Sequence, residues 1–307
     1  MVVPQRRSRM HRQRTGKRLE ITRRDIAIFQ WLARYRYLNS NYLHAFVGGA
    51  SLTRFKERLG HLFHEGFIDR PAQQWQLAEA RCRPVVYELG EGARRALAEY
   101  RFPLDDRRDI LSKNAHRQFS HAVLICACLA SLELGTLSQP GVRFIPWAEI
   151  LDRAPSSTQA SNLPFRIPGP NSTALIPDGL FGLEYDTGGR TSYRFFAMEI
   201  DRGTMPVTRS IDSQTSYLAK LVAYREIIER QIHRAHLGVP NFLVLTVTTN
   251  EDRVLKMMRA FEQVGGNTAM LFRSLESSGN ALISPSPDFL CSDWKRCSGS
   301  ALSIASV

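Results

Sequence analysis

The chain has 307 residues, a formal net charge of +12 and an apolar content of 43%. This length predicts two domains of ordinary size, and the apolar fraction is sufficient for a sizeable core. No apolar run of about eighteen residues occurs and no apolar segment follows the basic N-terminus, so we expect neither a membrane span nor a secretory signal. The five cysteines are odd in number and lack paired CxxC spacing, which favours reduced thiols in a cytoplasmic protein over disulfides or a zinc site.

The positive charge is concentrated at the N-terminus. Seven basic residues and no acid lie within the first eighteen positions: Arg6, Arg7, Arg9, Arg12, Arg14, Lys17 and Arg18. Such blocks are usually disordered arms that follow a phosphate backbone, and we predict that residues 1–20 form a basic disordered arm. The net charge favours a polyanionic partner, with nucleic acid ahead of an anionic membrane. A merely solubilising segment is the alternative for the arm.

Residues 21–100 show three helical patterns followed by two short strands. Thr22, Asn39 or Ser40, and Ser51 are good N-caps for the three helices. Three helices followed by a two-stranded ribbon is the order of a winged helix-turn-helix, whose third helix enters the major groove of double-stranded DNA. We therefore predict a winged helix DNA-binding domain. Winged helices also serve as protein-interaction modules, and the basic third helix and basic arm favour DNA over that alternative.

The third helix carries the predicted DNA contacts. Four side chains lie on or beside the side opposite its apolar face: Arg54, Lys56, Arg58 and His61. Each could contact a phosphate or a base edge, and only base-edge contacts would specify a sequence.

The second half of the chain has a different pattern. Residues 101–114 are charged and contain Pro103, which predicts a linker. Residues 115–276 then form a predicted domain with helix, strand, hairpin, long helix, buried strand, helix and strand, an α/β arrangement. Residues 277–307 are rich in Ser, Pro and Gly and are predicted to be a tail.

The predicted hairpin of this domain carries three carboxylates, Asp178 on its first strand and Glu199 and Asp201 at the end of its second. Residues i and i+2 of a strand point to the same face, and cross-strand neighbours lie close together. Converging carboxylates are costly to bury without a counter-ion, and a divalent metal such as Mg²⁺ or Mn²⁺ would remove that cost. The alternative is that one or more of the acids is a solvated loop residue paired to Arg194 or Arg202.

The order of elements in residues 115–275 resembles the αβββαβ core of the restriction-endonuclease-like PD-(D/E)XK superfamily. The Pro-Asp of that superfamily falls on the second strand, as Pro177-Asp178 does here. Its acid-x-Lys falls on the third strand, where this chain has Glu199-Ile200-Asp201. The resemblance implies an α+β chain overall, with a winged helix followed by a nuclease-like core in which the usual lysine position is occupied by Asp201.

A longer phrase is more specific. The sequence Glu199-Ile200-Asp201-Arg202-Gly203-Thr204, placed behind a winged helix, resembles the replication-relaxation family, which includes replication proteins of plasmids and mobile elements and relaxases of mobilisation systems. The resemblance implies metal-dependent nicking of one DNA strand at an origin. It implies Asp178 and Glu199 as catalytic ligands of Mg²⁺ or Mn²⁺, and Asp201 as a third ligand or as an acceptor that orients one of them. The missing positive charge would be supplied by Lys220 or Arg202.

These features define one leading hypothesis and two alternatives. The leading hypothesis is a DNA-binding protein of a plasmid or mobile element that nicks or relaxes double-stranded DNA at an origin, with replication or mobilisation accessory proteins as partners. The first alternative is a replication or transcription regulator whose nuclease-like domain is a catalytically inactive scaffold. The second is a subunit that docks other proteins through both domains.

Overall fold

The computed structural model describes residues 7–16, 18–76, 80–104, 115–169, 174–203, 205–208, 216–275, 284–286 and 288–306. The chain divides into two compact units, the first made of Met1–Ala130 with Leu282–Pro285 and the second of Ser131–Ala281 with Ser286–Val307. Helices and sheets of mixed orientation in the described residues confirm the predicted α/β class. Most of the predicted linker lies outside the described residues.

The first unit begins with three helices and a small antiparallel sheet. In chain order its elements are α1 (Arg23–Tyr35), β1 (Leu38–Asn39), α2 (Ser40–Val47), α3 (Leu52–His64), β2 (Ile68–Asp69), a short 3-10 helix (Ala72–Gln76), β3 (Val86–Leu89) and α4 (Glu91–Glu99). The strands lie in the order β1, β3, β2. The side chains of Thr22, Asn39 and Ser51 each accept a backbone N–H in the first turn of α1, α2 and α3, so the predicted N-caps are confirmed.

The core of this unit fixes which face of α3 is available. Leu59 and Leu62 of α3 and Phe29 and Leu32 of α1 are completely buried, because their three- and four-residue spacing places them on one side of each helix. Burial of each such side chain contributes about 1.5–3 kcal/mol. The remaining side of α3 therefore stays at the surface.

Residues 7–16 of the basic arm contact the rest of the first unit. The guanidinium of Arg12 donates from Nε to the carbonyl oxygen of Phe63 (2.9 Å), near the C-terminal end of α3. The backbone N–H of Gln13 donates to Nδ1 of His64 (3.1 Å). Carbonyl groups in the last turn of a helix lack intrahelical partners, and arginines are suited to bind them. Part of the positive charge of the arm is thus bound by acceptor groups of the protein itself.

A long apolar helix, α5 (Ala115–Leu137), follows. The boundary between the two compact units falls inside it, after Ala130, whereas the sequence placed the second domain from residue 115. Among the described helices, α5 alone is long and apolar enough to cross a bilayer, over Phe119–Leu137, and 67% of that window is buried in the protein. Burial of this extent is expected for a core helix of a globular protein.

The second unit is built on a mixed sheet. Its elements are β4 (Val142–Pro146), α6 (Trp147–Asp152), α7 (Ser156–Gln159), β5 (Ile167–Pro168), β6 (Ala174–Leu175), β7 (Gly179–Asp186), β8 (Thr191–Ile200), α8 (Tyr217–Glu229), α9 (Ile232–Leu237), β9 (Leu243–Thr248), α10 (Glu251–Gln263), β10 (Met270–Ser274), α11 (Asp288–Cys291), β11 (Trp294–Lys295) and β12 (Ala301–Leu302). The large sheet has the order β12-β11-β10-β9-β8-β7-β4. Strands β4, β7 and β8 are successively antiparallel, and β8, β9 and β10 are parallel. The small pair β5–β6 lies outside this sheet.

The predicted carboxylate hairpin is confirmed as β7 and β8. Gly179 pairs with Met198 in its antiparallel register, so the next position outward brings Asp178 opposite Glu199. On the other side of β8, Glu199 pairs with Thr246 of the parallel strand β9. The glutamate therefore lies near the centre of the large sheet, at the end of β8.

The predicted tail is wrong for the described residues after 287. They form α11, β11 and β12, and the two strands extend the large sheet beyond β10. Phe289, Trp294 and Ile304 are completely buried. The strands have two residues each, which is too short for an alternating pattern to be recognised among the surrounding Ser, Pro and Gly residues.

Candidate active site

Glu199 is the most deeply buried acid of the hairpin, with 1% of its surface exposed. Its Oε2 accepts a hydrogen bond from Nζ of Lys220, and its Oε1 accepts one from the hydroxyl of Tyr224. Both donors come from α8. A buried carboxylate requires such partners, because an unpaired charge in the interior is strongly unfavourable.

Helix α8 supplies these donors because of its spacing. Lys220 and Tyr224 are four residues apart and lie on one face of the helix, and Tyr217 precedes Lys220 by three residues. Ser216 caps the helix by accepting the N–H of Ala219 (3.2 Å). The hydroxyl of Tyr217 donates to Oγ1 of Thr246 (3.2 Å), which attaches the first turn of α8 to β9 beside the glutamate.

Asp178 joins this group from the position directly before β7, and not from the strand itself as the sequence predicted. Its Oδ2 accepts the backbone N–H of Ile200 (2.9 Å), so its side chain reaches across to the end of β8. The negative charge of Asp178 acts on both Glu199 and Lys220. The structure thus brings together two carboxylates and one lysine, which we call the acid–lysine cluster (Asp178, Glu199 and Lys220).

Burial and neighbouring charge set the protonation of the cluster. Burial raises the pKa of Glu199 to about 8, with Lys220 lowering it and Asp178 raising it further. Burial by itself would lower the pKa of Lys220, but the charges of Glu199 and Asp178 outweigh burial and the pKa of Lys220 is raised. Lys220 is therefore a permanent cation that faces two acids.

The two tyrosines of α8 are neutral hydrogen-bond donors. Burial first, and then the charge of Glu199, raises the pKa of both Tyr217 and Tyr224 well above the ordinary value. A phenol that resists ionisation is a poor nucleophile. The hydroxyl of Tyr224 instead fixes the orientation of the Glu199 carboxylate.

Asp201 lies near the cluster but is bound elsewhere. Its Oδ2 accepts the hydroxyl of Thr248 (2.7 Å) and Nε of Arg253, and its Oδ1 accepts Nη2 of Arg253 (3.0 Å). The same guanidinium also donates to the carbonyl oxygen of Met205. The predicted third ligand is thus part of a bidentate pair with an arginine, a geometry that strongly favours the pair.

The cluster contains two carboxylates that could act as metal ligands. Among the residues that the structure describes, no group of three or more His, Cys, Asp or Glu side chains is placed to hold a metal. Asp178 and Glu199 remain as a pair of carboxylates, and Mg²⁺ is typically held by one or two carboxylates together with water and substrate phosphate. These two residues are the candidate ligands of such an ion, although Glu199 would have to share its oxygens with Lys220 and Tyr224. Asp201 would first have to leave Arg253.

Sequence reasoning found the acids and Lys220 but missed Tyr224 as their partner. The spacing of Tyr217, Lys220 and Tyr224 was the available signal, since it places three polar groups on one helix face. Nothing in the sequence indicated that Arg253, from α10, would bind Asp201. That contact exists only because β8, β9 and α10 are neighbours in the folded chain.

The predicted DNA contacts of the first unit divide into two sets. Arg54, Lys56 and His61 are exposed on α3. Arg58 instead donates from Nε to Oδ1 of Asp25 (3.0 Å) and from Nη2 to Oδ2 of the same residue (2.6 Å). Asp25 is completely buried, so Arg58 is required as its counter-ion.

By fold and site, the chain is a two-unit α/β protein that joins a basic helical unit to a mixed sheet bearing an acid–lysine cluster. The sequence profile of the replication-relaxation family matches residues 29–242, which is more than half of the chain, and the protein belongs to this family. The matched region includes the second half of α1, all of α3, the hairpin and α8. No curated protein and no solved structure matches the chain. Membership implies a role in the replication or mobilisation of plasmids or other mobile elements.

Proposed function

We propose that the protein binds double-stranded DNA at an origin of a plasmid or mobile element and nicks or relaxes it by metal-dependent phosphodiester cleavage in the cytoplasm. The observation that carries this proposal is the acid–lysine cluster, in which two carboxylates and one lysine converge at the end of β8. Replication or mobilisation proteins are the expected partners.

The arrangement of elements supports the same proposal. In the first unit, three helices precede a ribbon made by β2 and β3, which is the layout of a winged helix. If the short elements α6, α7, β5, β6 and α9 are left aside, the order from α5, whose C-terminal end belongs to the second unit, through β4, β7, β8, α8 and β9 is αβββαβ. This order resembles that of the restriction-endonuclease-like core. Exposed Arg54, Lys56 and His61 on α3 are the proposed contacts to DNA phosphates or base edges.

The residues of the cluster have separate roles in the proposed reaction. Asp178 and Glu199 would hold Mg²⁺ or Mn²⁺, and that ion when bound polarises the phosphoryl oxygens and lowers the pKa of attacking water. Tyr224 holds the Glu199 carboxylate in one orientation. Lys220 places a permanent positive charge where negative charge develops on the phosphate. In this way, Lys220 from α8 would take the role of the strand lysine of the superfamily, whose position is occupied by Asp201 in this chain.

One experiment tests this proposal directly. Supercoiled DNA carrying the cognate origin is incubated with the full-length protein and Mg²⁺ or Mn²⁺, and the open-circular product is measured. We expect wild-type protein to nick the DNA, and Asp178→Asn and Glu199→Gln to abolish nicking without weakening DNA binding in a gel shift. Binding without nicking under either metal would refute the catalytic proposal.

A regulator without catalytic activity is the second candidate. The observation that favours it is that both oxygens of Glu199 are already bound by Lys220 and Tyr224, while Asp201 replaces the usual lysine. Such a protein would bind the origin with wild-type affinity whether or not Glu199 is replaced by Gln. The same plasmid assay separates the two candidates.

A further inference from the structure

A groove in the first unit lies between the arm (residues 7–16) and α3, and we call it the arm groove. It has a volume of about 900 Å³, within the roughly 300–1,000 Å³ typical of sites for small ligands. Its lining is basic and aromatic and includes Arg7, Arg9, Lys56, His61, Arg70 and Trp75. A single acid, Glu57, belongs to the lining.

The arm forms a defined wall of this groove. Arg9 donates from Nη1 to the carbonyl oxygen of Arg81 and from Nη2 to that of Arg83, both at 2.6 Å. In return, Nη1 of Arg70 donates to the carbonyl oxygen of Arg9 (2.8 Å). With the contacts of Arg12 and Gln13 to the end of α3, these bonds hold the arm against the rest of the unit.

The groove contains more positive charge than the protein itself satisfies. Among the residues that the structure describes, Nη1 of Arg7 and Nε of Arg70 are buried and have no hydrogen-bond partner. Arg70 packs on the ring of Phe63, with its Cζ 4.1 Å from the ring centroid, so its position is fixed. Burial lowers the pKa of the neighbouring His64, and the charges of Arg70 and Arg7 lower it further. Buried donors without acceptors are unfavourable, and an anion in the groove would offset the positive charge of the two guanidinium groups.

We propose that the arm groove binds the phosphodiester backbone of one strand of the DNA, with the ring of Trp75 placed against a sugar or base. This inference rests on the proposed DNA-binding function and names the surface that performs it. Lys56 and His61 line the groove from α3. Arg7 and Arg9 line it from the arm, and Arg70 lines it from the position after β2. DNA is thus held between two elements, and not by the exposed face of α3 alone.

Photo-crosslinking tests the location of the strand. A benzophenone amino acid is introduced at Met10, which lines the groove and is 49% exposed, or at Tyr100 of the same unit, which is 60% exposed and outside the groove. The probe is duplex DNA of the cognate origin, with RNA of the same sequence as a second arm. We expect a DNA crosslink at Met10 at least about tenfold stronger than at Tyr100 and stronger than with RNA. Equal yields at the two positions, or preference for RNA, would overturn the proposal.

Salt dependence provides an independent measurement. In the double variant Arg7→Gln/Lys56→Gln, the slope of log Kd against log salt is expected to fall by about 2, since each lost phosphate contact reduces it by about 1. Arg95→Gln is the matched control, because Arg95 is exposed on α4 and pairs only weakly with Glu91 (3.6 Å). Circular dichroism verifies that all variants fold.

The outcomes distinguish this inference from the proposed function. If wild-type protein shows no salt-dependent binding to DNA, both are refuted. If wild-type protein binds DNA and the double variant retains the wild-type slope, the arm groove is refuted and the DNA-binding proposal stands.

Discussion

Replacement of Lys220 by Met tests whether the acid–lysine cluster is a charged unit. Lys220 is 25% exposed and Glu199 only 1% in their side chains, so the variant leaves an acid in the interior without its cation. The pKa of Glu199 in the folded protein is raised to about 8, so its proton is bound more tightly in the folded chain than in the unfolded one. This stabilisation of the folded state is complete at low pH and is lost as pH rises up to that value. In the wild type, stability therefore stops falling above about pH 8, where Glu199 ionises beside Lys220.

The stability of the Lys220→Met variant is expected to keep falling above pH 8. Its Glu199 carboxyl has no cation beside it and therefore keeps its proton to higher pH. Below about pH 7 the difference from wild type should be about 1 kcal/mol, the loss of one hydrogen bond. Above pH 8 it should grow by about 1.4 kcal/mol per pH unit, up to roughly the 3–5 kcal/mol of a broken buried pair. The difference in stability depends on pH because the folded variant retains a proton that the unfolded chain releases.

Urea unfolding followed by circular dichroism between pH 6 and 9.5 measures this difference. Glu199→Gln is the matched control, since a glutamine still accepts the hydroxyl of Tyr224 and does not titrate. Lys220 can then extend its ammonium to solvent. The double variant Glu199→Gln/Lys220→Met should lose the pH dependence altogether. A destabilisation by Lys220→Met that is equal at pH 6 and pH 9.5, or one matched by Glu199→Gln, would refute the reasoning.

Three further outcomes are expected. Tyr224→Phe should lower metal-dependent nicking by roughly tenfold with DNA binding unchanged in a gel shift, because the buried carboxylate loses the donor that orients it; unchanged nicking would contradict that role. Asp25→Asn should destabilise the first unit by about 2–4 kcal/mol at pH 7 in thermal unfolding. Burial would raise the pKa of Asp25, but hydrogen bonds from Arg58 and Thr22 outweigh it and the pKa is lowered, so in the wild type this stabilisation should be lost only as pH falls below about 4. Arg253→Gln should cost about 1–3 kcal/mol and increase proteolysis near residue 205, since the guanidinium joins Asp201 to the chain after β8; an unchanged cleavage pattern would argue against it.

Local signals predicted much of the fold. The N-caps at Thr22, Asn39 and Ser51 were visible because a capping side chain lies within three residues of the N–H that it accepts. The hairpin of β7 and β8 was visible because β-branched and aromatic residues run up to a short polar turn. The approach of Asp178 to Glu199 followed from that hairpin. Each of these features depends on residues close in sequence or on adjacent strands.

Features that depend on distant partners were not predicted. The contacts of residues 7–16, within the predicted basic disordered arm, were not predicted, because the carbonyl group of Phe63 that binds Arg12 lies at the end of α3, 51 positions further along the chain. The bond between Arg253 and Asp201 spans 52 positions. A strand of two residues such as β11 has no period to detect. The sequence pattern indicates which acids belong to the site, but only the folded structure shows which cation each acid is paired with.

Strands β11 and β12 have a consequence for the edge of the large sheet. The hydroxyl of Tyr185 in β7 donates to the carbonyl oxygen of Ile304 (2.8 Å), 119 positions later, and Trp294 of β11 is completely buried. Without β11 and β12, β10 would be the edge strand, and uncovered edges pair readily with other chains. The five residues of β10 are thus replaced at the edge by the two residues of β12, and a very short edge strand is one means by which proteins avoid such pairing.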